Sequence, residues 1–382
     1  MKNTFLSIIL FIASTIIFAQ EDTVVQVNIS NELKYEFTTV IDIEATTIKN
    51  QGKTGTCWSF SASSFIESEI FRTSGETIDI SEMFNVRNTY KTKSWIYYMR
   101  QGKAQFSEGG LAHDVLNSVK QNGLMPESAY SGLLGGAKTH NHEQIVPVLQ
   151  KALDTSIKKN QGSKYNSWKF AVDSILNAHL GTPPKKFKYN QQEYNPKSFL
   201  KMTNINTNNY ITLTSFLHEP FNSAFILNIP DNFSNGSFYN IPLNELVDEV
   251  DSALKKGFTL ALDCDVSEKT FSSKFGIAVI PSDPAKNEKS LTYIIKEKKI
   301  TPEFRQQEFE NFNTTDDHLM HIIGLVKDQN GTEYYKVKNS WGINSERVGN
   351  EGYIYISKAF FKLKTISVMV HKDALNKKFK II

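Results

Sequence analysis

The chain reads as an α+β protein in which a helical half is followed by a β half. Two observations predict this. From Cys57 to about residue 121 apolar side chains recur at helical spacing, and after Gly257 the period drops to two. A third observation locates the chemistry. A thiol-bearing segment lies in the helical half and a His- and Asn-bearing segment in the β half, so the active cleft is expected between them.

The first element is not part of the fold. Lys2 supplies a positive charge, Phe5 to Phe18 is apolar apart from Ser and Thr, and Ala19-Gln20 follows. This pattern predicts a signal peptide over residues 1–19, removed on export, and so a periplasmic or secreted protein. The run is shorter than the ~20 residues a spanning helix needs, so no membrane association is expected after cleavage. Residues 20–45 read as an extended N-terminal arm.

Residues 46–382 are expected to form the catalytic domain. Cys57 opens a helix in which Phe60, Ser64, Ile66, Ile70 and Phe71 keep near-helical spacing. A helix starting at Cys57 points its positive end at the sulfur. Ser81 caps a second helix running to Tyr98, and a third runs from Leu111 to Gln121, ended by Gly123. Residues 131–240 read as a helical insertion on the helical half, with helices near 143–158 and 165–178 and short apolar strands near 210–229. A helix returns from Leu243 to Lys256 with Gly257 as its C-cap. Strands are expected over 258–263, 321–327, 333–338 and 352–357, with Asp328-Gln329-Asn330-Gly331 as a hairpin turn.

Composition narrows the function. The chain has 382 residues and a net charge of +3, too little to argue for nucleic acid or an anionic membrane. No Cys/His spacing suggests a metal and no Gly-rich loop a nucleotide, so no cofactor is expected. Of the two cysteines, Cys264 lies in the apolar run Leu260-Ala261-Leu262-Asp263-Cys264 and reads as a small core residue. A disulfide would silence Cys57, so both thiols are expected to be free.

The segment Gln51-Gly52-Lys53-Thr54-Gly55-Thr56-Cys57-Trp58-Ser59-Phe60, with His321 and Lys338-Asn339-Ser340-Trp341-Gly342, resembles the active site of papain-like cysteine peptidases. Phe238-Tyr239-Asn240-Ile241-Pro242-Leu243 and Ser273-Lys274-Phe275-Gly276 are similar to the bleomycin hydrolase and aminopeptidase C branch. The resemblance implies a papain-like two-lobed fold, a helical lobe plus a β-barrel-like lobe. It implies hydrolysis of peptide substrates through a Cys thioester, and it is compatible with a homo-oligomer.

Residue by residue, Cys57 is expected as the nucleophile and His321 as the base. His318, three residues earlier in the polar lead-in Thr315-Asp316-Asp317, is its nearest rival. Asn339 is expected to orient the imidazole under the shield of Trp341, and Gln51 to bind the oxyanion. Gly109-Gly110, Trp341 and Met320 are expected to contact substrate. Three alternatives stay open: a papain-like endopeptidase, a non-peptidase Cys-His amidase, and a non-catalytic binding protein on the same scaffold. In the basic tail Asn376-Lys377-Lys378-Phe379-Lys380-Ile381-Ile382, Lys378 and Lys380 repel a substrate ammonium. The exopeptidase gate that the resemblance implies at the C-terminus is therefore expected to be weakened or absent and N-blocked peptides to be accepted, with exo- or endopeptidase mode left open.

Overall fold

The computed structural model describes residues 34–159, 167–344 and 346–376. The expected signal peptide, the first part of the arm and the basic residues 377–382 lie outside them.

The sequence turns from a short edge strand, β1 (Thr38–Asp42), to the central helix α1 (Cys57–Ser74). α1 is buried from Cys57 through Ile70. Its small side chains explain how: Ser59, Ser61, Ala62, Ser63 and Ser64 let neighbouring backbone approach, and Ser61 donates to the carbonyl of Met320 at 2.5 Å. No side chain caps its N-terminus and no acidic residue occupies its first turn. The helix therefore presents free N–H groups and the positive end of its dipole beside Cys57.

α2 (Glu82–Met99) starts where Ser81 accepts from Phe84 N at 3.0 Å. α3 (Ala112–Asn122) is fixed by Asp114, which accepts from Leu111 N at 2.9 Å. α4 (Ile145–Lys158) and α5 (Ser167–Leu180) pack on α2, where Tyr98 stacks on Trp168 at 4.4 Å. A small hairpin, β2 (Phe187–Tyr189) and β3 (Gln192–Tyr194), and α6 (Pro196–Met202) follow.

The short apolar strands expected near 210–229 correspond to two strands, and a third follows them. β4 (Tyr210–Thr214), β5 (Ser223–Ile226) and β6 (Ser237–Asn240) join the main sheet. The run Ile211-Thr212-Leu213-Thr214, β-branched except at Leu213, suits a buried pleat, and Thr214 donates to Ile366 O at 2.6 Å.

After α7 (Leu243–Lys255) come β7 (Leu260–Cys264), β8 (Phe271–Ser272), β9 (Ile277–Ala278), β10 (His318–Lys327), β11 (Glu333–Lys338), β12 (Tyr353–Ser357) and β13 (Thr365–His371). The sheet order is β5-β6-β4-β13-β7-β10-β11-β12-β9-β8, mixed, with parallel pairs β4/β6 and β9/β12. β10 is its axis. β7 pairs with its first half, β11 with its second, and β1 adds at Gly324, where a Cβ would meet Ile41 O at 2.3 Å.

β10 also divides two cores. Leu319 belongs with Trp58, Phe65 and Val86 on the helical side, whereas Met320 and Ile322 belong with Leu262, Val337 and Val368 on the β side. Alternate residues of one strand thus serve opposite lobes, as the period of two requires.

Candidate active site

A cleft of about 420 Å3 opens where α1 begins beside β10. Gln51, Cys57, Gly109, Gly110, His318 and Trp341 line it together. Cys57 is 7% exposed and its thiol is free, as is that of Cys264 in β7. Burial pushes the Cys57 thiol up to about 12. A hydrogen bond from the Leu319 backbone works against this, and the carboxylates of Asp316, Asp231 and Asp263 add to it.

The imidazole in the cleft is His318, not His321. β10 starts at His318, so the two histidines lie three residues apart on one strand and face opposite ways. His318 Nε2 donates to Asn339 Oδ1 at 2.8 Å, and its ring lies 4.8 Å from that of Trp341. Burial pushes His318 down to about 4, opposed by the Asn339 hydrogen bond. His321 is fully buried against α1, with Nδ1 2.9 Å from Ser64 Oγ. Ser64 is seven residues beyond Cys57 on α1, about 10 Å down the helix. Lys338 donates to the same hydroxyl at 2.8 Å. Burial, with that ammonium beside it, keeps His321 neutral well below the ordinary imidazole range. The expectation for His321 is therefore corrected: it packs beneath the site and cannot reach its thiol.

A sequence signal for His318 existed. Residues on both sides of His321 are apolar, which marks a position buried on both faces. A base that must meet substrate belongs at the polar end of the run, beside Asp316-Asp317.

Gln51 is held in place from both ends. Its Oε1 accepts from Ser340 Oγ at 2.6 Å, and its Nε2 donates to Thr54 O at 2.7 Å, leaving one amide hydrogen. Backbone bonds zip the two segments together: Gln51 N to Ser340 O at 2.9 Å and Gly342 N to Lys49 O at 3.0 Å. Asn339 Oδ1 also accepts from Ser340 N at 2.8 Å, so one stretch orients both the amide of Gln51 and that of Asn339.

Two expected contacts differ in kind. Met320 packs with Leu262 and Val368 in the β core and does not line the cleft, whereas His318, of the same parity, reaches it from the open end of β10; that expectation is also corrected. Gly109 and Gly110 do line it, but the space a Gly109 Cβ would take is filled by the Asp231 carboxylate, 1.8 Å from that position. A Cβ on Gly110 would press the Trp58 ring at 3.1 Å.

An acidic wall completes the cleft. Asp231, Asp316 and Asp317 line the cleft beside Cys57. Asp231 sits on the loop between β5 and β6, too far in sequence from any motif to be seen. Its loop is clamped: Ser234 donates to Asp114 at 2.6 Å, and Asn232 bonds Leu227 O, Gly236 O and Gly236 N.

Comparison with known proteins gives a consistent set of similarities. The Peptidase C1-like family model matches residues 97–382, which include His318, Asn339 and Trp341. Aminopeptidase C of Listeria monocytogenes is 23% identical over 379 residues, covering 86% of this chain and 81% of its own. Aminopeptidase G of Lactobacillus delbrueckii subsp. lactis is 21% identical, covering 86% and 82%. Mouse procathepsin L is 36% identical over 86 residues, 22% of this chain and 23% of its own. The crystal structure of PepW from Lactobacillus rhamnosis superposes with a TM-score of 0.71 at 18% identity, over 90% of this chain and 84% of that one.

Proposed function

Because the chain belongs to the Peptidase C1-like family, we propose that its cleft cleaves peptides by thiol chemistry and acts as an aminopeptidase, as the names of its relatives describe. It is a cysteine peptidase. Cys57 is the nucleophile and His318 the base. The observation that carries this assignment is the His318 Nε2 to Asn339 Oδ1 bond at 2.8 Å, beside Trp341 and in the same cleft as the free Cys57 thiol.

The chemistry follows from those positions. With Nε2 held by Asn339, Nδ1 of His318 is the nitrogen left to take the proton from Cys57. The sulfur then bonds the substrate carbonyl carbon. The developing oxyanion meets the remaining amide hydrogen of Gln51 and the backbone N–H of Cys57 at the start of α1. Collapse breaks the C–N bond, and His318 returns its proton to the leaving amine. Water, deprotonated by the same ring, hydrolyses the thioester and restores the thiol.

Burial favours the uncharged thiol and imidazole, whereas the α1 dipole and the Asn339 acceptor favour the charged pair. The neighbouring carboxylates weigh against the thiolate.

The N-terminal apolar run supports a further part of this reading, that the enzyme is exported. Product mapping with a mixed peptide library tests the exopeptidase mode. Sequential loss of N-terminal residues is expected, and internal cuts as the first products would overturn it. Labelling of Cys57 by a thiol-reactive peptide probe tests the nucleophile.

A further inference from the structure

We propose that Asp231 and Asp316 form a subsite for an organic ammonium or guanidinium group of the substrate, at the wall of the Cys57–His318 cleft. The inference rests on the peptidase reading and names what that site selects.

Both carboxylates line the cleft that holds Cys57 and His318. Behind them lies Asp263 of β7, fully buried. Asp263 Oδ1 and Asp316 Oδ2 are buried without a partner. The Asp231 backbone and the Ser367 hydroxyl favour the charged forms of Asp316 and Asp263, and the two carboxyls hydrogen-bond each other only when one carries a proton. Acceptors of this kind, taken out of water and left without a donor, are costly unless a proton or a cation meets them. A substrate ammonium brings several N–H donors and the compensating charge. A metal ion is a poor alternative: among the described residues no group of three or more His, Cys, Asp and Glu side chains is placed to hold one.

The local cation, Lys93, offsets the Asp231 charge through space but makes no hydrogen bond to it. Its ammonium donates to the carbonyls of Ser107 and Gly109 and lies over the Phe233 ring. Asp231 itself accepts one hydroxyl, that of Ser107 at 3.2 Å. Its loop reaches across from the β5–β6 region to fill the space beside Gly109, so the insertion closes one wall of the cleft with a carboxylate. The same charges raise the Cys57 thiol, so an incoming cation also relieves the field that holds the proton on sulfur.

Two sources share this chemistry, the α-ammonium of a peptide N-terminus and the side chain of Lys or Arg. The test uses Cys57→Ala enzyme, so that binding is read without turnover. Calorimetry compares three peptides of one sequence: free-amine, N-acetylated, and N-acetylated with an Arg added. Weaker binding of the plain acetylated peptide, on the order of ten- to hundredfold, is expected. The preference is expected to collapse when Asp231→Asn or Asp316→Asn is added. Recovery with the Arg peptide assigns the side chain as the source, and its absence assigns the α-ammonium. Equal affinity for all three peptides, or a preference that survives both Asn substitutions, overturns the proposal. Hydrolysis by the unsubstituted enzyme, measured on the same peptides, reports separately on the peptidase reading.

Discussion

His318 donates to Asn339 across 2.8 Å, from the first residue of β10 to the residue just beyond β11. The bond joins two strands that are zipped by their backbones, so the imidazole is held by the sheet and not by a loop. Trp341, two residues past Asn339, covers it and keeps water from competing.

From this bond follows the first prediction. His318→Ala is expected to abolish turnover with folding intact. His321→Ala is expected to retain the chemistry while losing stability, within the ~2–5 kcal/mol of large-to-small core substitutions, because it empties a site between Ser64 and Phe65. Rate measurements with thermal melts of both variants separate these outcomes. Loss of activity with full stability in His321→Ala would reverse the assignment.

The second prediction concerns the amide held by Ser340. Gln51→Ala is expected to lower kcat by on the order of 10²–10³, the range for one oxyanion donor. Ser340→Ala is expected to have a smaller effect in the same direction, since it frees Gln51 Oε1 and lets the amide turn. If Ser340→Ala is the more damaging of the two, Ser340 acts on Asn339 rather than on Gln51.

The sequence carried much of this. The start of α1 at Cys57, the Ser81 cap and the strand after the Asp328–Gly331 turn are where spacing and capping place them, whereas the strand before the turn begins at His318, three residues ahead of its apolar pattern. The choice between His318 and His321 rests on position along β10: His318 opens the strand beside the polar Asp316-Asp317 and reaches the cleft, whereas His321 lies inside the apolar run against α1. Asp231 was not legible at all. It reaches the cleft through pairing of β4, β5 and β6 onto β13, a non-local arrangement that no local pattern encodes.

The third prediction is a pH profile. His318 is held down to about 4, so its neutral form persists below the ordinary imidazole range. With an N-acetylated substrate, the acid limb of kcat/KM is expected near pH 4 and not near 6.5. The same depression makes a stability statement: the contribution is fully present above the unfolded value near 6.5 and is lost as pH falls through about 4. An acid limb at 6.5 or higher would show that the ring is not desolvated during catalysis.

Thiol accessibility supplies the fourth prediction. Cys57 borders the cleft, whereas Cys264 is sealed in β7. Iodoacetamide is expected to inactivate the native enzyme with modification at Cys57 alone, and Cys264 is expected to react only after denaturation. A peptide map showing Cys264 modified first would contradict the packing of that strand.

The last prediction uses the space beside Gly109. An added Cβ there would lie 1.8 Å from Asp231 Oδ2 and 2.3 Å from its Cγ, so the carboxylate must move. Gly109 is not in the left-handed region, so Ala fits its backbone, and the displaced group is the end of a side chain. Gly109→Ala is therefore expected to fold and to narrow the discrimination between a free-amine peptide and its acetylated twin. Gly110→Ala is the comparison. Its Cβ would press the buried Trp58 ring at 3.1 Å, so it is expected to lower the melting temperature without a selective change in that ratio. Both quantities come from paired kcat/KM measurements and melts on the two variants. A Gly109→Ala enzyme that keeps the full ratio would show that Asp231 does not meet the substrate cation from its position against Gly109.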